Sequence, residues 1–151
     1  MTTVSLQIRD AVIDALNDAP LSGVPQASKR RVMPGEPVRE SFIAVFLDDE
    51  AVTYPGNERG PLTARNMGVM IELGIVTDDL SAVDDLIEPL REHVIERLGD
   101  TNLDGLATSV IERGIPEGGR VVYKLDLYNA LCFIRFDLRY QTARANLSER
   151  Q

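Results

Sequence analysis

The chain is short of the residues that hold metals or form disulfides. Among 151 residues there is one cysteine, Cys132, and one histidine, His93, and there is no tryptophan. A single cysteine cannot form an internal disulfide, and one cysteine with one histidine gives no metal-ligand spacing. We therefore expect no metal, no cofactor and a reducing compartment, with stability that depends on burying an apolar core.

Long apolar runs and an excess of positive charge are also missing. No segment has the length of a membrane span, and the N-terminal residues lack the basic flank and apolar block of a signal peptide. The formal net charge is −8, which argues against a general nucleic-acid binder, since such proteins neutralise phosphates with a basic surface. These features predict a cytoplasmic protein without a membrane segment.

Catalytic signatures are equally scarce. Gly114, Gly118 and Gly119 have the wrong spacing for a phosphate loop and lead into a strand. Cys132 and His93 could form a nucleophile and base, but Cys132 falls on the apolar face of a strand, where a buried inert thiol is typical. His93 falls on a charged helix flank and is expected at the surface. We predict that the chain is not an enzyme.

The most regular segment is 131–142. One face of an extended chain would carry the apolar set Cys132, Ile134, Phe136, Leu138 and Tyr140. The opposite face would carry Arg135, Asp137, Arg139 and Gln141. Such alternation predicts a half-buried strand that other elements must cover.

Similar patterns predict the remaining elements. Helical spacing indicates an amphipathic helix over 6–17, a helix from about 80 to 98 that is kinked at Pro89, and a shorter helix over 103–111. Strand patterns cover 41–54, with a bulge after the three carboxylates that begin at Asp48, then 66–76 and 120–127. Gly68 and Gly74 leave room for a close approach on one face of their strand, by another subunit among other candidates.

The order of elements predicts an α/β (α+β) fold with a four-stranded, mainly antiparallel sheet of two hairpins and helices packed on one face. A single domain would span 1–151, with flexible loops at about 20–40 and 55–64, a turn at 128–130 and a frayed tail at 143–151. The first loop would contain a short strand near Val32. Its basic cluster at 29–31 fits either a solvated loop or a contact surface for an acidic partner.

Several segments resemble the tail-terminator proteins of long-tailed bacteriophages, the lambda type in particular. The resemblance covers roughly 5–142 and is carried by the segments 8–16, 42–47, 72–73, 86–89, 103–110 and 138–142. It implies a small α/β virion protein that forms a homo-hexameric ring on the tail tube, stops tube growth and joins the head connector. Genome DNA would pass through the bore without specific binding, and assembly would take place in the host cytoplasm. The 20–40 segment and the C-terminus are longer than in that family.

Under this resemblance the assembly interface would include polar residues of the two loops and of the closing strand. The candidates are Lys29, Arg30, Arg31, Asn57, Glu58, Arg59, Arg65, Arg135, Asp137 and Arg139. Another neck, head–tail connector or tail-completion protein is an alternative with a related fold. A small-molecule enzyme or binding module is a third reading, which a deep pocket with convergent polar groups would favour.

Overall fold

A computed structural model describes residues 3–18, 21–32, 36–53, 62–99, 101, 103, 105–114, 119–143 and 146–150. It is an α+β fold with a mixed sheet. The helices are α1 (Val4–Asn17) and α2 (Val83–Leu98), and a short 3₁₀ turn (Leu80–Ala82) precedes α2. The strands are β1 (Ala27–Ser28), β2 (Phe42–Thr53), β3 (Leu62–Thr77), β4 (Ser109–Arg113), β5 (Arg120–Lys124), β6 (Tyr128–Ala143) and β7 (Asn146–Arg150).

Strand β6 is the centre of the sheet. Its whole length pairs antiparallel with β3 on one edge, from Leu62 opposite Ala143 to Thr77 opposite Tyr128. Its other edge pairs in succession with β5, β4 and β7. Beyond β3 lies β2, antiparallel, and then β1, which runs parallel to β2. The segment 131–142, predicted as a half-buried strand, therefore pairs with four other strands.

The apolar core lies between one face of this sheet and the two helices. The predicted apolar face of β6 is buried as expected, and it is in register with alternate residues of β3, for example Ile134 opposite Ile71 and Phe136 opposite Val69. Helix α1 contributes Val4, Ile8, Val12 and Leu16 to the same cluster, and α2 contributes Val83, Ile87, Leu90, Val94 and Leu98. No described helix is long and apolar enough to cross a membrane.

The two helices are also joined by polar side chains of α2 at the C-terminal end of α1. His93 donates from Nε2 to the carbonyl of Leu16 (2.9 Å), and Arg97 donates from Nε to the carbonyl of Ala15 (2.9 Å). These carbonyls have no partner within α1, because the last turn of a helix leaves its acceptors free. The prediction that His93 lies at the surface is wrong: the residue is 3% exposed.

The predicted helix over 103–111 is a second error. Leu103 and Gly105 have positive φ values of 56° and 83°, which interrupt a right-handed helix. The following residues form β4, in which Val110 pairs with Leu138 and Ile111 with Asp137. The apolar residues at helical spacing in this short segment are also compatible with a turn followed by an edge strand. The strand forms because the free edge of β6 provides backbone hydrogen-bond partners for it.

Other boundaries also differ from the predictions. The sheet has seven strands, not four, and Asn146–Arg150 is a strand within the region predicted as a frayed tail. The short strand of the 20–40 segment is β1, next to Ile43 and Ala44, rather than near Val32. Of the 55–64 loop, 62–64 belong to β3 and 55–61 lie outside the described residues. The turn predicted at 128–130 is at 125–127.

Two predicted irregularities concern β2 and α2. The pairing of β2 with β3 shifts between Leu47 and Glu50, so the predicted bulge is present but lies at the carboxylates rather than after them. Helix α2 continues through Pro89, and this proline lies on the exposed side of the helix. The carbonyl of Asp85, which loses its helical donor, can therefore be reached by water, and this lowers the cost of the proline.

Candidate assembly surface

The face of the sheet opposite the helices carries most of the polar residues of the strands. On β6 this open face consists of Asn129, Leu131, Phe133, Arg135, Asp137 and Arg139, and neighbouring strands add Phe42, Phe46 and Asp48 of β2 and Met70 and Glu72 of β3. Most of these side chains are half-buried. The open face is thus a mixed surface of aromatic and charged groups, suited to contact with another macromolecule.

A chain of ion pairs crosses the open face from β2 to β4. The guanidinium of Arg135 donates from Nη1 to Asp48 Oδ2 (2.7 Å) and from Nε to Asp137 Oδ1 (2.9 Å). The second oxygen of Asp137 accepts from Nε of Arg113 (2.8 Å). Arg135 and Asp137, which were predicted to face away from the core, therefore form ion pairs within their own sheet. Their further partners, Asp48 and Arg113, lie on strands to either side of β6.

Gly68 makes this network possible. Strand β3 lies between β2 and β6, so the side chain of Arg135 must pass over β3 to reach Asp48. A Cβ atom on Gly68 would lie 2.6 Å from Nη2 of Arg135, and a Cβ on Gly74 would overlap the ring of Phe42. The close approach predicted at both glycines is real, and side chains of the same chain occupy the space.

The segment between β1 and β2 lies across the same face. We call its described parts, 29–32 and 36–41, the arginine strap. Its Arg31 guanidinium stacks 3.6 Å from the ring centre of Phe46, which is a favourable cation–π distance. At its other end, the backbone N–H of Val38 donates to Oδ1 of the buried Asn129 (2.6 Å). The strap therefore shields part of the open face from water.

Glu72 lies on this face and is 2% exposed. Burial raises the pKa of its carboxyl group, and the positive charge of Arg31 opposes that rise. The Tyr123 hydroxyl has a raised pKa as well, because it is partly buried and lies near the negative charges of Glu72 and Glu36. A buried carboxylate without a hydrogen-bonded partner is costly, and Arg31 is the cation that offsets this cost.

Cys132 lies on the other face, in a cleft of about 350 Å³ between α2 and the junction of β4 with β5. Burial raises the pKa of its thiol, and the charge of Arg120 acts in the opposite direction. The guanidinium of Arg120 is bound to Asp84 and Glu88 of α2. A neutral buried thiol is a poor nucleophile, and His93 is hydrogen-bonded to Leu16 instead.

The structure brings together only some of the predicted interface residues. Lys29, Arg30 and Arg31 are exposed on the strap, and Arg135, Asp137 and Arg139 lie on the open face. Arg65 does not belong to a loop: it lies in β3, and its Nε donates to Thr142 Oγ1 (3.0 Å) on β6. Asn57, Glu58 and Arg59 lie outside the described residues.

The sequence predictions missed Asp48, Arg113 and Glu72 as parts of this surface. Asp48 is the first of the three carboxylates next to the predicted bulge, and Arg113 follows the predicted helix over 103–111, which does not form. Glu72 is a polar position within the predicted strand over 66–76. Its one distinguishing signal was its place between Ile71 and Leu73, a carboxylate within an otherwise apolar strand centre.

Comparison with known proteins leaves the chain without an assigned family. No protein-family model matches it, and no curated protein sequence matches it. The fold and the open face described above are therefore the basis for a functional proposal.

Proposed function

We propose that the chain is a phage tail terminator, which forms a ring on the last tail-tube ring, stops tail polymerisation and presents a surface to the head connector. The supporting observation is the order of elements. Helix α1, strand β2, the proline-containing helix α2 and strand β6 lie in segments that carry the resemblance, whereas the helix predicted over 103–111 does not form. The function is binding rather than catalysis.

The edges of the sheet provide further support. Among the described residues, β4 and β5 have no strand partner on the side away from β6, and β2 is covered by β1 only at Ile43 and Ala44. The two edges differ in length and sequence. A ring requires two different surfaces that bind each other around a closed circle, and unpaired edges readily accept further strands.

The net charge is consistent with the same role. Genome DNA must slide through the ring, and an acidic chain does not hold phosphates as a basic channel would. Arg139 of the open face and Arg59 of the 55–61 segment are candidates for contacts with the tube or with a neighbouring copy.

Deletion of the gene in its phage tests the proposal. Loss of a terminator should give overlong tails, measured by negative-stain imaging, and the purified protein should form rings of about six copies. Tails of normal length with unjoined heads would instead identify a head-completion protein. A monomer at every concentration that never binds tail tubes would refute both ring formation and capping.

Charge reversal provides a finer test. Arg59→Glu should weaken capping while leaving the thermal midpoint nearly unchanged, since a charge in a predicted loop contributes little to stability. Arg65→Glu is the contrasting variant, because its guanidinium is bonded to Thr142 within the sheet. We expect it to lower the midpoint whether or not it affects capping.

A further inference from the structure

Positive charge is concentrated at one place on this acidic chain. The basic patch consists of Lys29, Arg30, Arg31 and Arg39, all exposed. The three arginines line a cavity of about 630 Å³ whose wall includes the ring of Phe42. Glu36 and Glu40 also line the cavity, so three arginines face two carboxylates there. Lys29, Arg30 and Arg39 make no ion pair with any described residue.

Helix α2 carries the complementary charge. Its acidic stripe consists of Asp85, Glu92 and Glu96, with Pro89 between the first two. The spacing of seven and four residues places these side chains on one line along the helix, and all are exposed. None of the three carboxylates is paired with a described residue. By contrast, Asp84 and Glu88 of the same helix bind Arg120.

The two surfaces belong to opposite faces of the sheet. The basic patch lies on the strap, over the open face, since Arg31 stacks on Phe46. The acidic stripe lies on the outer side of α2, which packs on the other face. One chain therefore cannot join its own patch to its own stripe, but a row of copies can join the patch of each to the stripe of the next.

We infer that the basic patch is the docking site for the acidic stripe of a second copy of this chain. This inference rests on the proposed ring and specifies its contact. A symmetric contact of patch with patch or stripe with stripe would place like charges together, which is unfavourable. The stripe is about 16 Å long at 1.5 Å per residue, and its exposed Pro89 supplies an apolar surface for Phe42 at the cavity wall.

Two double variants test this contact. The patch variant is Arg30→Glu with Arg39→Glu, and the stripe variant is Asp85→Lys with Glu92→Lys. Each alone should weaken self-association about 100-fold, because like charges then meet. An equimolar mixture should restore assembly, since each reversed surface meets its complement in alternating copies. Light scattering and analytical ultracentrifugation measure both effects, and added salt should weaken wild-type assembly.

Matched controls separate this contact from general charge effects. Asp14→Lys with Asp78→Lys reverses two exposed carboxylates that belong to neither the patch, the stripe nor the sheet edges. It makes the same charge change as the stripe variant and should leave assembly unchanged. Circular dichroism checks folding, and Arg30→Gln with Arg39→Gln replaces the patch variant if that variant unfolds. The neutral variant should still weaken self-association. If it associates as strongly as the wild type, the inference is overturned.

The outcomes distinguish this contact from the terminator role. If wild-type rings form and both double variants assemble equally well, or the mixture fails to recover, the inferred contact is wrong and the terminator role stands. Normal self-association of a patch variant that no longer binds tail tubes would assign the patch to the tube protein and overturn the inference. A wild-type chain that neither associates nor caps tubes refutes both.

Discussion

The two faces of the sheet are built from the same strands and differ in how they are stabilised. On the helix-covered face, β3 and β6 present a continuous apolar surface to α1 and α2. On the open face, ion pairs, a stacked arginine and a buried carboxylate share the space with half-buried aromatic rings. The first face gains its free energy from removing apolar area from water, whereas the second depends on paired charges, which contribute less. The difference is consistent with the proposed role, in which the covered face stabilises the fold and the open face takes part in binding.

The largest expected loss of stability comes from a substitution on the helix-covered face. Phe136→Ala removes a ring that is 2% exposed and should lower the free energy of unfolding by about 3–5 kcal/mol. Urea denaturation measures the loss. The matched variant is Phe133→Ala, three residues away in the same strand but on the open face and only half-buried, where we expect a smaller loss. Equal losses would mean that the two faces contribute equally to the core.

The second prediction compares the two glycines of β3. Gly74→Ala should cost about 1–3 kcal/mol, because its methyl group would overlap the ring of Phe42. Gly68→Ala should cost less, since it meets the movable end of Arg135 rather than a ring. Denaturation of both variants tests this order. Combining Gly74→Ala with Phe42→Ala should remove most of the overlap, and a purely additive loss would contradict the packing explanation.

The third prediction concerns pH and Glu72. Its folded-state pKa is raised above the ordinary value of 4.5, so the native state holds this proton more tightly than the unfolded state. The stabilisation is fully present below about pH 4.5 and is lost as pH rises through the folded pKa. Glu72→Gln should therefore be more stable relative to wild type at pH 7 than at pH 4. Urea midpoints across this range measure the change, with Glu92→Gln on exposed α2 as the control. A pH-independent difference would show that desolvation of Glu72 has no effect on stability.

The smallest expected effect is at the end of the ion-pair network. Arg113→Ala should cost less than about 1 kcal/mol, because the Arg113 side chain is 63% exposed and Asp137 keeps its bond to Arg135. Arg135→Ala should cost more, since it leaves both Asp48 and Asp137 without that partner. Thermal denaturation at low and high salt tests the pair, and a loss that salt does not reduce would contradict an electrostatic origin.

Much of the fold was predictable where one pattern extended over many residues. The alternation in 131–142 predicted β6 and both of its faces, and helical spacing predicted α1 and α2 despite Pro89. The helix prediction for 103–111 was wrong because nine residues contain too few repeats to distinguish a helix from a turn followed by an edge strand. The prediction of a frayed tail at 146–150 was wrong because a strand that pairs at a sheet edge needs no strong sequence pattern of its own.

The candidate surface was predictable only in part, for a related reason. The alternation of apolar and polar residues predicted that Arg135, Asp137 and Arg139 face outward, but it could not predict which residues pair with them. Asp48 is 87 positions away from Arg135 in the sequence, and no local pattern connects them. The surroundings of His93 and Glu72 also depend on distant elements. Leu16 of α1 accepts the hydrogen bond of His93, and Arg31 of the arginine strap supplies the positive charge that acts on Glu72.

The sequence by itself determined which residues of each long strand and helix face the core, because side-chain direction follows the local period. It also determined the acidic balance and the lack of a disulfide or a Cys–His metal site. Only the tertiary structure decided which charges are bound within the chain and which make no ion pair with a described residue. Arg135 is bound by Asp48 and Asp137 over Gly68, whereas Lys29, Arg30 and Arg39 make no ion pair with a described residue. The physical reason is that an ion pair depends on distance in space, and the packing of the strands and the strap sets that distance.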